Sequence, residues 1–338
     1  MFTKVYEKVK EIFLKNLKFL IFLLACVILF SVRLPFTIEA PGGYINVTQR
    51  IDMDNSYDSS GSFNMAYVSD VPAVIPTLIY ALFNSDWDIL KNKDVLLENE
   101  STQELFLRNK LSQKEANNNA IINAYKKAGK SYSIENRNYY VAYIDKDAET
   151  NLNVGDEIIS VNDVLITNKQ QILDVISDSN IGDTINFLVN SNNKEINKTA
   201  AVKNIDGNKV VGIIVYEILD ITTDPKVSIK VKDSESGPSG GLMTSLTIYN
   251  ALVEEDITGG RLIVGTGTID LDGNVGSIGG VKYKLIGAVK KHAKLFIVPS
   301  GENYEEALKI KNEKKYDIEI IGVSTFDEAI EFLKNYDN

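Results

Sequence analysis

The chain has 338 residues, 44% of them hydrophobic, which allows roughly two or three domains with sizeable cores. Its net charge of −10, with no basic tract beyond the N-terminal lysines, argues against a nucleic-acid partner. The single cysteine, Cys26, excludes an intramolecular disulfide and a Cys-based zinc site, and the single histidine, His292, excludes an HExxH metal site.

Phe19 to Val32 carries no charge and is almost entirely apolar. As a helix it would reach about 21 Å, short of a ~30 Å hydrocarbon core. Extending it over 17–38 gives about 33 Å if Lys18 and Arg33 snorkel to the interfaces and Pro35 ends the helix. Ile38 stands at −3 to the best cleavage site, after Ala40, so the segment reads as a retained signal anchor rather than a cleaved peptide. Lys4, Lys8, Lys10, Lys15 and Lys18 precede it, which predicts a cytoplasmic N-terminus (1–16) and an extracytoplasmic remainder at the cell membrane.

Residues 39–135 read as a strand-and-helix adaptor without chemistry of its own. Pro41-Gly42-Gly43 and Ser59-Ser60-Gly61-Ser62 are predicted turns. A helix is expected from about Ile75, with Pro76 in its first turn. Ser101-Thr-Gln-Glu104 and Ser112-Gln-Lys-Glu115 each match a capping box, and Gly129 is the expected C′ residue of the second helix. Ala124 to Ser131 loosely matches a phosphate-loop pattern. It closes a helix instead of opening one, so no nucleotide or other cofactor is expected.

In 136–204, Leu152-Asn-Val-Gly155-Asp156 is a turn feeding the alternating strand Ile158-Ile-Ser-Val161, then Asn162-Asp163. Asn168 is positioned to cap a helix through Ile172, Leu173, Val175 and Ile176, and Thr184 to Val189 alternates as a strand. This run resembles a PDZ domain. It departs from that pattern at Asp163, where glycine is usual, and it lacks a Gly-Leu-Gly-Phe-like loop ahead of the strand Tyr139–Ile144. Residues 205–221 read as a linker.

The chemistry lies in 222–338. Val227 to Val231 alternates as a strand, Ser236-Gly-Pro-Ser239-Gly-Gly241 is a glycine-rich turn, and Leu242 to Val253 is helical in spacing. Ser239 thus falls at a helix N-terminus, where free N–H groups and the helix dipole favour an oxyanion. Gly237 and Gly240 would supply that backbone. A serine needs a base, and a lysine serves if burial lowers its pKa toward neutrality. Lys282 and Lys284 both flank the apolar members Val281, Leu285, Ala288 and Val289 of a predicted helix 281–291, so spacing alone leaves both open. A Ser-His-Asp triad would have to use His292, which sits among lysines and reads as a solvated helix-end residue.

Gly237-Pro-Ser239-Gly-Gly-Leu-Met-Thr244, Thr266-Gly-Thr-Ile269-Asp-Leu-Asp-Gly273, Ile278-Gly-Gly-Val-Lys282-Tyr-Lys284 and Phe296-Ile-Val-Pro299 resemble the proteolytic domain of Lon-type serine peptidases in four ordered motifs. That resemblance makes Ser239 the nucleophile and Lys284 the base, and places Thr266 beside the pair as support. Gly240 replaces the alanine of many members. The order of segments resembles the membrane-anchored PDZ–Lon-type proteases of Gram-positive bacteria. The implied fold class is α+β and multidomain: a transmembrane helix, an adaptor, a PDZ-like β-rich domain and a C-terminal Lon-type α/β proteolytic domain. The implied function is ATP-independent endopeptidase cleavage of secreted peptides or flexible protein segments, with homo-oligomerisation compatible. The alternative is a PDZ-based scaffold with an inactive or regulatory proteolytic domain.

Overall fold

The computed structural model describes residues 2–205 and 207–336. The chain forms two compact units, one comprising the N-terminal stretch to Ala40 with Ser69–Val95, the other Pro41–Val68 with everything from Leu96 onward.

The first unit begins with helices Phe2–Lys15 and Leu17–Ser31, the second mostly exposed, with Leu20 and Cys26 half-buried and no residue fully buried. Among the described residues no single helix is long and apolar enough to cross a membrane; Val5–Lys15 and Leu17–Ser31 qualify only together, bent by 68°. The helix predicted over 17–38 therefore stops earlier, at Ser31, and Phe36–Asn46 is a strand. Pro35 disfavours helical geometry at Leu34, and β-pairing captures the residues from Phe36 onward. Phe36 to Glu39 runs antiparallel to Asp88–Lys91. Helix Ile75–Leu82 has Pro76 in its first turn, as the sequence predicts. Ile38, Ala73 and Ala81, with Leu34, Phe36, Trp87 and Ile89 against them, form this unit's small core.

In the second unit, strands Glu319–Val323, Leu295–Pro299, Leu262–Gly265 and the Ser62–Met65 stretch lie parallel in that order. Helices cover this sheet, as expected for parallel strands buried on both faces. Helix Thr102–Ala128 packs along helix Gly241–Leu252, and Val47, Phe63, Ala120, Ala124 and Tyr125 share one core with Leu242, Met243 and Leu246. The predicted adaptor is therefore no separate layer: 41–68 and 96–128 build the core that carries the C-terminal motifs. Sequence patterning sees apolar faces but not what they pack against.

The local expectations fare unevenly. Ser101 and Glu104 make both bonds of a capping box, and Gly129 takes the left-handed conformation (φ 64°) that ends the helix. Ser112 starts no second helix; its hydroxyl donates to the Asn109 carbonyl inside one continuous helix. Pro41-Gly42-Gly43 is not a turn but part of strand Phe36–Asn46. Its glycines admit close neighbours: a Cβ at Gly42 would lie 2.4 Å from the Tyr67 ring, and one at Gly287 would lie 2.6 Å from the Gly43 nitrogen.

The β-rich module is larger than predicted. Strand Ile213–Asp224 pairs antiparallel with Ser131–Ile144 from end to end, so 213–221 of the expected linker belongs to that sheet, while Lys203–Ile205 and Asn208–Val210 pair separately with each other. Glu157–Val161, Thr184–Ser191 and Lys194–Ala201 complete it. Asp156 of the Leu-x-x-Gly-Asp turn accepts from the Asn153 N–H at 2.7 Å and from buried Lys198 at 2.6 Å, which makes the motif a structural clasp. Asn162 and Asp163 both have positive φ (48° and 64°), a hairpin geometry that Asn and Asp tolerate, so glycine is dispensable there. Because Ser131 pairs with Asp224, the module leaves and re-enters the core that carries the C-terminal motifs at adjacent points. It is an insertion within that core, not a bead before it.

Candidate active site

Thr266 follows the last residue of strand Leu262–Gly265, and its N–H donates to the Ile297 carbonyl at 2.9 Å in the next strand. Ser239 precedes helix Gly241–Leu252, with Gly240 as its N-cap. The Ser239 carbonyl accepts twice, from the Gly267 N–H at 2.8 Å and from the Thr266 hydroxyl at 3.1 Å. The serine turn is thereby stitched to the strand end. Helix Val281–Lys290 delivers Lys284, whose ammonium donates to the Thr266 hydroxyl at 3.2 Å. Thr266 links serine loop and lysine with one side chain, donating to one and accepting from the other.

Burial separates the two lysines that spacing left open. Lys284 is 4% exposed, and Thr266 is fully buried. Desolvation lowers the Lys284 pKa to about 8. Lys282 is half-buried with its ammonium 5.3 Å from the centre of the Tyr283 ring. His292 is exposed, in left-handed conformation just past the helix end. Its expected solvated position is what the fold shows.

Of the two glycines expected to present an oxyanion-binding backbone, Gly237 does not. Its N–H is committed to the Asn109 carbonyl at 2.9 Å, and its φ of +94° shows that glycine is there for the turn. Gly240 stands at the helix N-terminus as expected. A Cβ at Gly240 would meet only the Met65 side chain, its sulfur at 2.6 Å, so Met65 occupies the space that an alanine methyl would fill.

The helix carries its own polar residues without loss. Thr244, Ser245 and Thr247 each donate back to the carbonyl four residues earlier, at 3.0, 2.9 and 2.7 Å. Sequence reasoning missed the residues that brace the serine loop. Lys110 donates to the carbonyls of Lys232 and Glu235, Arg50 pairs with Glu235 at 2.9 Å, and Asn109 holds Gly237. Nothing in their local sequence marks them, because their partners lie more than a hundred positions away. The same helix donates from Asn119 to the Ile269 carbonyl and from Asn123 to the Asp270 carbonyl, so it braces the segment after Thr266 as well. Among the described residues no group of His, Cys, Asp or Glu side chains is placed to hold a metal ion.

A concavity lies in the inserted module. It is an apolar groove of about 480 Å³ between helix Lys169–Asp178 and the strand start Ile213–Val215. Val210-Val211-Gly212 leads into that strand.

A neutral amine at Lys284 would spend one N–H on Thr266 and keep its lone pair for a proton. Residues 219–334 match the family described as the Lon protease (S16) C-terminal proteolytic domain. Among curated proteins, the chain is 37% identical over 124 residues to a Lon protease of Campylobacter jejuni, covering 33% of this chain and 15% of that protein. It is 33% identical over 99 residues to a Lon protease of Mesomycoplasma hyopneumoniae, covering 29% and 11%. The chain thus spans only a small fraction of these relatives' length. The PDZ domains of SdrC-like proteins from Listeria monocytogenes and Listeria innocua are 23% and 22% identical, each covering 23% of this chain at a TM-score of 0.22, with 85% and 92% of those domains covered. The C-terminal third of the chain, carrying Ser239, Thr266 and Lys284, is similar to the Lon protease proteolytic domain.

Proposed function

We propose that the chain is a serine endopeptidase in which Ser239 and Lys284 form the catalytic dyad. Ser239 Oγ attacks the scissile carbonyl while neutral Lys284 takes the hydroxyl proton. Lys284 then gives that proton to the leaving amine, and water completes hydrolysis of the acyl-enzyme. The helix N-terminus at Gly240 stabilises the tetrahedral oxyanion. The observation that carries this reading is the buried Lys284, with its pKa lowered to about 8 and its amine hydrogen-bonded to the threonine that also holds the Ser239 carbonyl.

The reading extends to ATP-independent cleavage outside the cell membrane, with the N-terminal helices as anchor and peptides or flexible segments as substrates. The apolar run Leu17–Ser31 and the lysines before it support the anchor. The groove of the inserted module, walled by a helix and a strand, suits an extended peptide and gives substrate a second place to bind.

The test is peptide cleavage by the full chain in detergent. Ser239→Ala and Lys284→Ala abolish cleavage, and a serine-reactive fluorophosphonate labels wild type but not Ser239→Ala. Lys282→Ala stays active. Wild-type turnover by either dyad variant overturns the assignment.

A further inference from the structure

The first unit exposes Ile79, Tyr80, Leu82 and Phe83, which its own core does not use, beside Trp87, which packs partly on that core. On helix Ile75–Leu82 and the residue after it, Ile79 is 52% exposed, Tyr80 55%, Leu82 68% and Phe83 88%. Trp87, the only tryptophan of the chain, stacks edge-on against Tyr80 with ring centroids 4.7 Å apart. We propose that this surface, from Ile79 to Trp87, is a second membrane contact that seats in the lipid headgroup–acyl boundary beside the N-terminal helix.

The occupant is set by continuity. Helix Ile75–Leu82 packs against Leu17–Ser31, the helix that is apolar on every side. Shortly after Ser31, the Leu34 N–H donates to the Ala73 carbonyl at 2.8 Å, and the Ala73 N–H donates to the Phe36 carbonyl at 3.1 Å. The surface is therefore fixed in height at the point where the chain leaves that helix. Length adds a second argument. The helix Leu17–Ser31 has 15 residues, about 22 Å, against a ~30 Å hydrocarbon core. The shortfall of several ångströms draws the exit point, and the surface tied to it, down to the boundary, where an apolar face sinks about 5–10 Å. The residue types agree: Phe83 and Leu82 at the tip, Tyr80 and Trp87 behind, the amphipathic rings that favour membrane–water interfaces. A patch fixed beside a helix that is apolar on every side shares that helix's surroundings, which on the anchor reading are lipid.

This inference rests on the anchor reading, and one experiment separates the two. The full chain is reconstituted into phosphatidylcholine vesicles with or without lipid brominated at shallow acyl positions, and flotation and Trp87 fluorescence are both measured. Flotation with at least twofold quenching by the brominated lipid is expected. Moving the indole to the tip, Phe83→Trp with Trp87→Phe, deepens the quenching. Leu82→Asp with Phe83→Asp removes most of it while flotation persists. A chain that floats with unquenched indole in both positions overturns the second contact and leaves the anchor standing. Quenching that survives the double aspartate overturns the residue assignment. A chain that does not float overturns both.

Discussion

Between pH 6 and 8, kcat/KM should climb about tenfold per pH unit and level off above a limb near 8, the pKa to which burial lowers Lys284. With a pKa of about 8 the amine is neutral in about one molecule in ten at pH 7, against about one in 3,000 for a lysine at 10.5. Burial therefore supplies about 300-fold in competent base at neutral pH. The same burial has a cost in stability, and its sign is fixed by linkage. The folded-state pKa (about 8) lies below the unfolded value of 10.5, so between those values the unfolded chain binds the extra proton and stability rises with pH. Below pH 8 the full penalty applies, about 3 kcal/mol for a gap of about 2.5 between the two values (10.5 minus about 8) at 1.36 kcal/mol each. Lys284→Met removes that penalty and loses a hydrogen bond of about 1 kcal/mol, leaving a net gain of about 2 kcal/mol at pH 7. The dead variant should therefore melt several degrees higher than wild type at pH 7, with the gap closing toward pH 10. Scanning calorimetry from pH 6 to 10 and peptide cleavage over the same range measure both. An activity limb near 10, or a methionine variant no more stable than wild type at pH 7, would refute the reasoning.

Four further outcomes test the geometry around the dyad. Gly287→Ala puts a Cβ 2.6 Å from the Gly43 nitrogen and 3.0 Å from its Cα, contacts that only backbone movement relieves, so kcat falls at least tenfold and stability drops by about 1–3 kcal/mol, read by peptide cleavage and urea unfolding. Gly240→Ala meets only the flexible Met65 side chain and keeps activity within about threefold in the same cleavage assay; any loss is recovered by adding Met65→Ala. Thr266→Val removes the donor to the Ser239 carbonyl and the acceptor of Lys284, lowering kcat about ten- to a hundredfold with little change in KM, and Thr266→Ser restores it. Replacing 132–223 by a short Gly-Ser turn between the paired residues Ser131 and Asp224 leaves a folded core that still cleaves short peptides, with loss of any preference set by the groove.

What the sequence discloses and what it hides divide along physical lines. Ser239 stood out locally, as a serine on a glycine-rich turn before a helix, whereas the choice of Lys284 over Lys282 and the place of Thr266 beside them came from the resemblance of their motifs to Lon-type peptidases. The capping pair Ser101–Glu104 and the C-terminal Gly129 were legible locally too, since their bonds close within four residues. Ser112-Gln-Lys-Glu115 shows the limit of that logic. The pattern is intact, but the helix already starts at Thr102, nearly three turns earlier, and a serine inside it turns its hydroxyl back on the Asn109 carbonyl. The glycines at 42 and 43 mark close approach of other elements rather than a turn, a distinction that needs the partner's position. The strand Ile213–Asp224 hid as a linker because its partner lies some eighty residues upstream, and non-local pairing leaves no local signature.

The insertion gives helix Thr102–Ala128 two sets of obligations. On one face Glu115 accepts the Glu217 N–H at 3.1 Å, and Asn118 exchanges bonds of 2.9 Å with both the N–H and the carbonyl of Leu219, in the strand whose start walls the groove. Less than two turns earlier, Asn109 and Lys110 hold Gly237 and Glu235, the approach to Ser239. A single rigid rod thus bears both the groove-bearing sheet and the serine loop. A module attached through a flexible linker would let its groove wander relative to the serine. Entry and exit at one β-pair, with side-chain clamps to this helix, instead set a fixed separation between groove and nucleophile. If substrate binds both, that separation selects for peptides long enough to reach from one to the other, so binding energy in the groove is spent on placing a particular bond at Ser239. Under the proposed function, the insertion would act as a ruler held by one helix, giving reach to chemistry that the C-terminal motifs alone would supply without it.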